Sequence, residues 1–149
     1  MTNFDIEKIH ATSVDIDGIG ILLQGPSGSG KSDLALRLID EGSRLIADDY
    51  TDIIVKNEAL YGAAPDTIEG LIEVRGQGVF RVGSVESSKI GILIDLVAGG
   101  VIERLPEEQT RNILGIPLLY LQLAPFEASA TAKIRLAVKR VKGDITPAS

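Results

Sequence analysis

The chain has 149 residues, 44% hydrophobic and 24% charged, which is the composition of one globular domain large enough to bury its own core. Its formal net charge of −6 argues against general nucleic-acid binding, and the absence of cysteine excludes disulfides and thiolate metal sites. No apolar stretch approaches the ~20 residues of a membrane-spanning helix, and residues 1–10 lack a signal-peptide pattern, so we expect a cytoplasmic protein.

The first predicted elements are two strands joined by a tight turn. A strand is predicted from His10 to Ile16, and Asp17-Gly18 is a two-residue hairpin signal. The apolar run from Ile19 to Gln24 predicts the returning strand, buried between other elements.

A glycine-rich loop follows this strand: Gly25-Pro26-Ser27-Gly28-Ser29-Gly30-Lys31-Ser32. The spacing matches the phosphate-binding loop, G-x-x-x-x-G-K-[ST], and the motif stands between a strand and a helix, as it must. The glycines let several backbone N–H groups point at one anion, and the helix N-terminus adds partial positive charge. The motif predicts that Lys31 reaches the β- and γ-phosphates of a nucleotide and that the Ser32 hydroxyl coordinates Mg²⁺.

The middle of the chain alternates short elements with turns. A helix is predicted from Lys31 to Glu41, ended by Gly42, and a buried strand at Leu45-Ile46-Ala47. The remaining predictions here are a hairpin of Asp52–Val55 with Leu60–Tyr61, a strand at Leu71–Val74, a mobile glycine-rich segment at Arg75-Gly76-Gln77-Gly78 and a strand at Val79–Val82.

The last third is predicted to hold strands and two helices. In order these are a strong strand at Lys89–Leu96, a weaker one at Val101–Leu105, a short helix from Pro106 to Gly115, a strand at Leu118–Leu123, a final helix with the apolar stripe Ile134, Ala137, Val138 and Val141, and a frayed tail at 143–149. Residues 128–142 carry five basic residues and no acid, so this helix is a hypothetical docking face for an acidic partner.

Two of the apolar runs end in aspartate, at Asp48-Asp49 and at Asp95. The carboxyl ends of buried strands are where an open α/β sheet places active groups. Adjacent acids repel each other unless a cation is near, which favours Asp48-Asp49 as the pair that faces Mg²⁺ and phosphate. Because successive strand residues point to opposite sides, we expect only one of them to face the reaction centre. Asp95 is the alternative acid for Mg²⁺.

Taken together, these segments resemble the bacterial HPr kinase/phosphorylases from about His10 to Val141, without the N-terminal domain of longer members. The resemblance is carried by His10-Ala11-Thr12, Gly25 to Ser32, Arg44 to Asp49, Ile72 to Gly78 and Glu103-Arg104-Leu105. It implies an α/β P-loop kinase domain with a mixed β-sheet and few helices, spanning 1–149 with an ordered core at 10–142.

The resemblance also implies an activity. Members of this family transfer a phosphoryl group from ATP or pyrophosphate, with Mg²⁺, to a serine of HPr, a small carrier of the phosphotransferase system. In reverse, inorganic phosphate attacks the phosphoserine and gives pyrophosphate. The family forms hexamers, so the partners implied are an HPr-type carrier and further copies of the chain.

Carried over residue by residue, the resemblance implies that Asp49 is the base that takes the serine proton, with Asp48 as the alternative. Lys31 would stabilise the transferring phosphate, while Ser32 and Glu73 would hold Mg²⁺.

His10 and Arg104 are implied as further site residues beside the phosphates, with Arg75–Gly78 as a flexible loop over the site. Two departures from the family pattern stand out. Pro26 replaces a usually acidic residue and removes one N–H from the loop. The stretch from Leu123 to Ala128 lacks the family's basic Pro-Gly-Arg-Asn-like segment, which puts the reverse reaction in question.

Two other functions stay open at this stage. One is a P-loop kinase whose acceptor is the hydroxyl of a small molecule. The other is a nucleotide-sensing regulatory module without turnover, which would bind ATP but tolerate Asp49→Asn.

Overall fold

A computed structural model describes residues 6–148. Its elements in chain order are β1 Glu7–His10, β2 Thr12–Ile16, β3 Ile19–Gln24, α1 Lys31–Asp40, β4 Arg44–Ala47, β5 Tyr50–Lys56, β6 Ala59–Ala63, β7 Leu71–Val74, β8 Gly78–Arg81, β9 Ser88–Leu96, β10 Gln109–Ile113, β11 Ile116–Leu123 and α2 Ala130–Lys142, with short 3₁₀ turns at Asp66–Ile68 and Gly99–Val101.

Nine strands of the described chain form one mixed sheet, in the order β1-β5-β6-β9-β3-β2-β4, with β11 paired to β9 and β10 to β11. β9 is parallel to both β3 and β11, whereas the other pairings are antiparallel. Because parallel strands end at the same edge, the loops after β3, β9 and β11 open on one side of the sheet. β7 and β8 form a separate hairpin. The predicted α/β fold with a mixed sheet and few helices is confirmed.

Both faces of the sheet are buried, which explains why its central strands read as continuous apolar runs. On one face, Ile21 and Leu23 of β3 pack with Leu34 and Leu38 of α1 and with Ile134 of α2. On the other face, side chains of β3, β5, β6, β9 and β11 form a second core: Leu22, Ile53, Leu60, Ile90, Leu93 and Tyr120 are among its members.

Tight turns set the register at the two predicted hairpins. Asp17 and Gly18 have φ of 52° and 86°, and Asn57 and Glu58 have φ of 51° and 63°, the left-handed pairs that two-residue hairpin turns require. Helix α1 ends at Asp40, and Gly42 follows with φ 108° as predicted.

The prediction of one strand from His10 to Ile16 is corrected at Ala11. The chain breaks there because β1 pairs with β5, while β2 pairs with β3 and β4. The amide of Ala11 donates to the carbonyl of Ile9 at 3.1 Å, which closes the turn between them.

The predictions of a strand at Val101–Leu105 and of a helix from Pro106 to Gly115 are wrong. Val101 ends a 3₁₀ turn, and the supposed helix is strand β10. Leu114 and Gly115, with φ of 50° and 82°, form the two-residue turn that folds β10 back along β11. A helix this short is only marginally stable in water, whereas pairing with β11 gives the backbone groups of β10 hydrogen-bond partners in the sheet.

Candidate active site

The glycine-rich loop joins the carboxyl end of β3 to the start of α1. Gly28 and Gly30 have φ of 82° and 100°, a left-handed backbone that glycine adopts at no steric cost. The first helical bond runs from the amide of Leu34 to the carbonyl of Gly30, at 2.9 Å. The amides of residues 31–33 therefore have no acceptor within the helix, so they form a ready site for an anion.

The first glycine is needed for close packing. A Cβ at Gly25 would lie 2.5 Å from Oγ of Ser29, closer than real contacts allow. That Ser29 hydroxyl is buried and has no hydrogen-bond partner among the described residues. A side chain at position 25 would therefore displace Ser29 and open the loop.

Lys31 is almost fully buried beneath the loop. Its Nζ donates to the carbonyl of Gly25 at 2.6 Å and to that of Pro26 at 3.1 Å. An ammonium group has three N–H donors, so one remains for a phosphate oxygen.

Asp48 is a buried carboxylate that ties three elements together. Its Oδ1 accepts from the hydroxyl of Ser32 at 2.6 Å and from that of Thr12 at 3.3 Å. Its Oδ2 accepts from the amide of Glu73 at 3.0 Å. A buried charge needs such partners, and these donors meet that need.

Asp49 faces the open side of the same region. Its Oδ1 lies 2.8 Å from Nε2 of His10, whose ring centre lies 5.2 Å from that of Tyr50 with the two planes tilted by 35°. Thr12 accepts the amide of Asp49 at 3.0 Å. Asp49 has a φ of 66°, so the regular alternation of strand side chains ends here. Of the two acids, Asp49 lines the cavity beside the loop and Asp48 does not, and which of them serves the reaction stays a prediction.

A cavity of about 530 Å³ brings these groups together, within the range of small-molecule sites. The loop forms its floor with Gly28, Gly30 and Lys31. Its walls include Ser32, Asp49, Glu73, Phe126 and the turn of the β7–β8 hairpin at Arg75 and Gln77. The predicted flexible segment is thus a hairpin turn that borders the cavity.

Two predicted site residues lie elsewhere. Arg104 is exposed and is not among the residues that line this cavity, so its role stays a prediction. Asp95 faces the opposite side of the sheet, where its Oδ2 accepts from the hydroxyl of Tyr120 at 2.5 Å. Asp95 does not line the cavity beside the loop, so its role in holding Mg²⁺ stays a prediction.

Burial raises the pKa of Tyr120 above its ordinary value, and the hydrogen bond to Asp95 and the charge of that carboxylate raise it further. The guanidinium of Arg111 lies 3.9 Å from the centre of the Tyr120 ring and opposes this shift. Asp95, Tyr120 and Arg111 thus form a cluster of their own, and none of the three lines the cavity beside the loop.

The basic face of α2 is largely neutralised by acids of the same chain. Lys133 pairs with Glu127 at 3.0 Å, Arg140 pairs with Glu108 at 3.4 Å, and Arg135 pairs with Glu41. Only Lys139 and Lys142 remain, within the described residues, as basic side chains of this helix without such a pair. The hypothetical docking face for an acidic partner is correspondingly weak.

Sequence reasoning missed Thr12 and Phe126. In the sequence Thr12 stands out only as part of the His10-Ala11-Thr12 motif, whereas in the structure its hydroxyl contacts both tandem acids. Its position on a strand predicted to pair with the strand that leads into the loop is a signal that could have indicated a site residue. Phe126 had no local signal, because its contact with Gly30 joins distant segments.

A mixed α/β sheet, a glycine-rich loop leading into a helix and carboxylates facing that loop are typical of proteins that transfer phosphoryl groups. The sequence model of the protein family described as "HPr Serine kinase C-terminal domain" matches residues 4–134 of this chain. The chain belongs to this family.

Relatives agree with this assignment. HPr kinase/phosphorylase of Bacillus subtilis is 40% identical over 127 residues, which cover 77% of this chain and 41% of that protein. HPr kinase/phosphorylase of Peptoclostridium acidaminophilum is 38% identical over 124 residues, 78% of this chain and 39% of that protein. The chain thus spans about two fifths of the length of these relatives.

A solved structure has the same fold. The HPr(Ser) kinase/phosphatase from Coxiella burnetii superposes with a TM-score of 0.82 and 28% identity, covering 93% of this chain and 99% of that one. Neither helix of the described residues has the length and apolarity to cross a membrane.

Proposed function

We propose that this chain is a protein-serine kinase/phosphorylase that acts on an HPr-type phosphocarrier in the cytoplasm. The observation that carries the proposal is the position of Asp49, which borders the same cavity as Lys31 and Ser32. Its side chain is 58% exposed, so a serine on the surface of another protein can reach it. This exposure favours a protein acceptor over a small-molecule hydroxyl enclosed in a pocket.

The donor would be ATP or pyrophosphate, held by the loop. Phosphoryl transfer passes through a loose transition state, so positioning and charge supply most of the catalysis. The free amides at the start of α1 and the remaining N–H of Lys31 are suited to bind the phosphate oxygens.

In the forward step, Asp49 accepts the proton of the serine hydroxyl while the serine oxygen bonds to the terminal phosphorus. The bond from that phosphorus to its bridging oxygen breaks, and ADP leaves. His10 occupies Oδ1 of Asp49, which leaves Oδ2 for the incoming hydroxyl. In reverse, an oxygen of inorganic phosphate attacks the phosphorus of the phosphoserine, which forms pyrophosphate. The bond from that phosphorus to the serine oxygen breaks, and Asp49 returns the proton to that oxygen.

Mg²⁺ fits the residues present. No cluster of three or more acidic, histidine or cysteine side chains exists in the described chain, which argues against a site built from protein ligands alone. Mg²⁺ commonly takes one or two protein oxygens, with phosphate and water completing its shell. Ser32 and Glu73 both line the cavity and would hold the ion, which neutralises phosphate charge when bound. Asp48 contacts the Ser32 hydroxyl and the Glu73 amide and so positions both residues.

The test is radiolabelled ATP with purified HPr. We expect serine labelling that inorganic phosphate reverses with release of pyrophosphate. Asp49→Asn should lower labelling at least about 100-fold, the usual contribution of a general base. Asp17→Asn is the matched control, because Asp17 also has a left-handed backbone but lies at the opposite end of β3. Full labelling by Asp49→Asn would refute the proposed base.

The assembly is part of the proposal as well. The family resemblance favours a hexamer, and analytical ultracentrifugation of the purified chain measures this directly. A monomer at all concentrations would contradict it without affecting the assignment of Asp49.

A further inference from the structure

Phe126 occupies an unusual place for an aromatic side chain. It lies three residues beyond the end of β11 and is 72% exposed, although it is among the largest apolar residues of the chain. The loops after β3, β9 and β11 lie at one edge of the sheet, so Phe126 shares that edge with the glycine-rich loop.

The ring of Phe126 touches the loop itself. A Cβ built at Gly30 would lie 2.9 Å from Cζ of Phe126 and 3.2 Å from its Cε1. The edge of the ring therefore rests on the last loop glycine, one residue before Lys31. The ring is also part of the wall of the 530 Å³ cavity.

The backbone around Phe126 is held in place from several sides. The guanidinium of Arg37 donates to the carbonyl of Pro125. Glu127 accepts the amide of Ala130 at 3.1 Å and pairs with Lys133 at 3.0 Å. The ring thus stands on an anchored segment, and a ligand that binds it need not order a loose loop.

Other apolar side chains of the cavity are engaged in the core. Leu36 and Val74 are partly buried and pack against the main hydrophobic cluster. Phe126 is therefore the aromatic side chain of the cavity lining that stays exposed beside the loop.

Phe126 and the loop line the same cavity, so a nucleotide held there by its phosphates has its nucleoside within reach of the ring. We propose that the base of the nucleotide stacks on Phe126, an inference that rests on the proposed function. A phenyl ring has a π face but no hydrogen-bond donor or acceptor, so it accepts adenine and guanine alike. The ligand class is nucleoside triphosphates, and a phosphate chain without a base gains nothing from this residue.

Binding measurements by calorimetry test this directly. Phe126→Ala should raise the Kd of MgATP and MgGTP about 5- to 150-fold, the range for loss of one stacked base. The Kd of magnesium tripolyphosphate should change by less than about twofold. Phe126→Leu keeps the apolar cover of Gly30 and should behave like Phe126→Ala, whereas Phe126→Trp should retain affinity. Equal losses for ATP and tripolyphosphate, or no loss for either, would overturn the proposal.

Fluorescence gives a second readout that does not depend on folding of an alanine variant. The chain has no tryptophan, so Phe126→Trp introduces a single reporter. MgATP should change its emission strongly, while tripolyphosphate should not. Leu105→Trp is the control, because Leu105 is 84% exposed and lies outside the cavity. Identical responses of Phe126→Trp to both compounds would count against stacking.

The two proposals fail separately. If wild-type protein phosphorylates HPr but Phe126→Ala binds ATP with unchanged affinity, only the stacking proposal is refuted. If ATP affinity depends on Phe126 but no serine is labelled, only the proposed function is refuted.

Discussion

The carboxylate of Asp48 lies 2.6 Å from the hydroxyl of Ser32, and this contact joins the end of β4 to the start of α1. The other oxygen of Asp48 accepts the amide of Glu73 in β7. One buried side chain thus sets the distance between the two residues proposed to hold Mg²⁺. The loop motif and the tandem acids therefore act as one unit.

Replacing Asp48 with asparagine should disturb that unit. The asparagine side chain keeps one acceptor oxygen, but its NH₂ group faces a donor that has then lost its acceptor. We therefore expect the free energy of unfolding to fall by about 1–3 kcal/mol. The Mg²⁺ concentration needed for half-maximal ATP binding should also rise. Chemical denaturation and Mg²⁺ titrations measure these effects, with Asp52→Asn in β5, the next strand along the chain, as the control. An unchanged Mg²⁺ dependence would contradict the positioning role.

Thr12 is expected to matter to both acids. Thr12→Val removes the hydroxyl that donates to Asp48 and accepts from the amide of Asp49. Both groups then lose that hydrogen bond. We expect a loss of about 1–3 kcal/mol in unfolding free energy and a lower kcat. Thr12→Ser keeps the hydroxyl and should restore kcat. Failure of the serine variant to restore it would assign the effect to packing alone.

His10 contacts Asp49 and not the loop, so its loss should affect transfer more than donor binding. His10→Ala should reduce kcat by about 10- to 100-fold, the range for loss of a group that orients a catalytic side chain. The KM for ATP should stay within about twofold. Steady-state kinetics with HPr separates the two parameters. A rise in KM alone would place His10 among the donor-binding residues instead.

Ser29 carries a buried hydroxyl without a partner in the described chain. Ser29→Ala removes this unsatisfied group, so we expect the protein to gain about 1 kcal/mol, or about 2–4 °C in Tm. Thermal unfolding measures the shift, and Ser27→Ala, at an exposed loop position, should leave Tm unchanged. A lower Tm for Ser29→Ala would show that the hydroxyl does make a stabilising bond.

The raised pKa of Tyr120 predicts how the free energy of unfolding changes at alkaline pH. Its pKa is raised in the folded protein by burial and by Asp95, so the folded state keeps the phenol proton longer than the unfolded chain. The stabilisation is complete below the ordinary pKa of about 10 and is lost as pH rises through the raised value. Between about pH 9 and 11, wild-type stability should fall more steeply than that of Tyr120→Phe. Urea unfolding at each pH measures this, and Tyr61→Phe should keep the wild-type slope.

Local signals were enough for a large part of the fold. The strand, glycine-rich loop and helix from Ile19 to Asp40 were predictable because neighbouring residues determine their backbone. The hairpin at Asp17-Gly18 was predictable for the same reason, since left-handed turns favour few residue types. Strand β10 was missed because its conformation depends on β11, and short polar segments carry little pattern of their own.

The sequence by itself determined that a phosphate-binding loop motif exists, that two aspartates follow a buried strand and that the fold is mixed α/β. Only the tertiary structure decided that His10 meets Asp49, 39 residues away, and that Thr12 contacts both acids. The tertiary structure also places Asp95 beside Tyr120 and the ring of Phe126 in contact with Gly30. The reason is physical: spacing in a motif reflects local backbone geometry, whereas contacts between distant segments depend on strand order and packing, which no single stretch encodes.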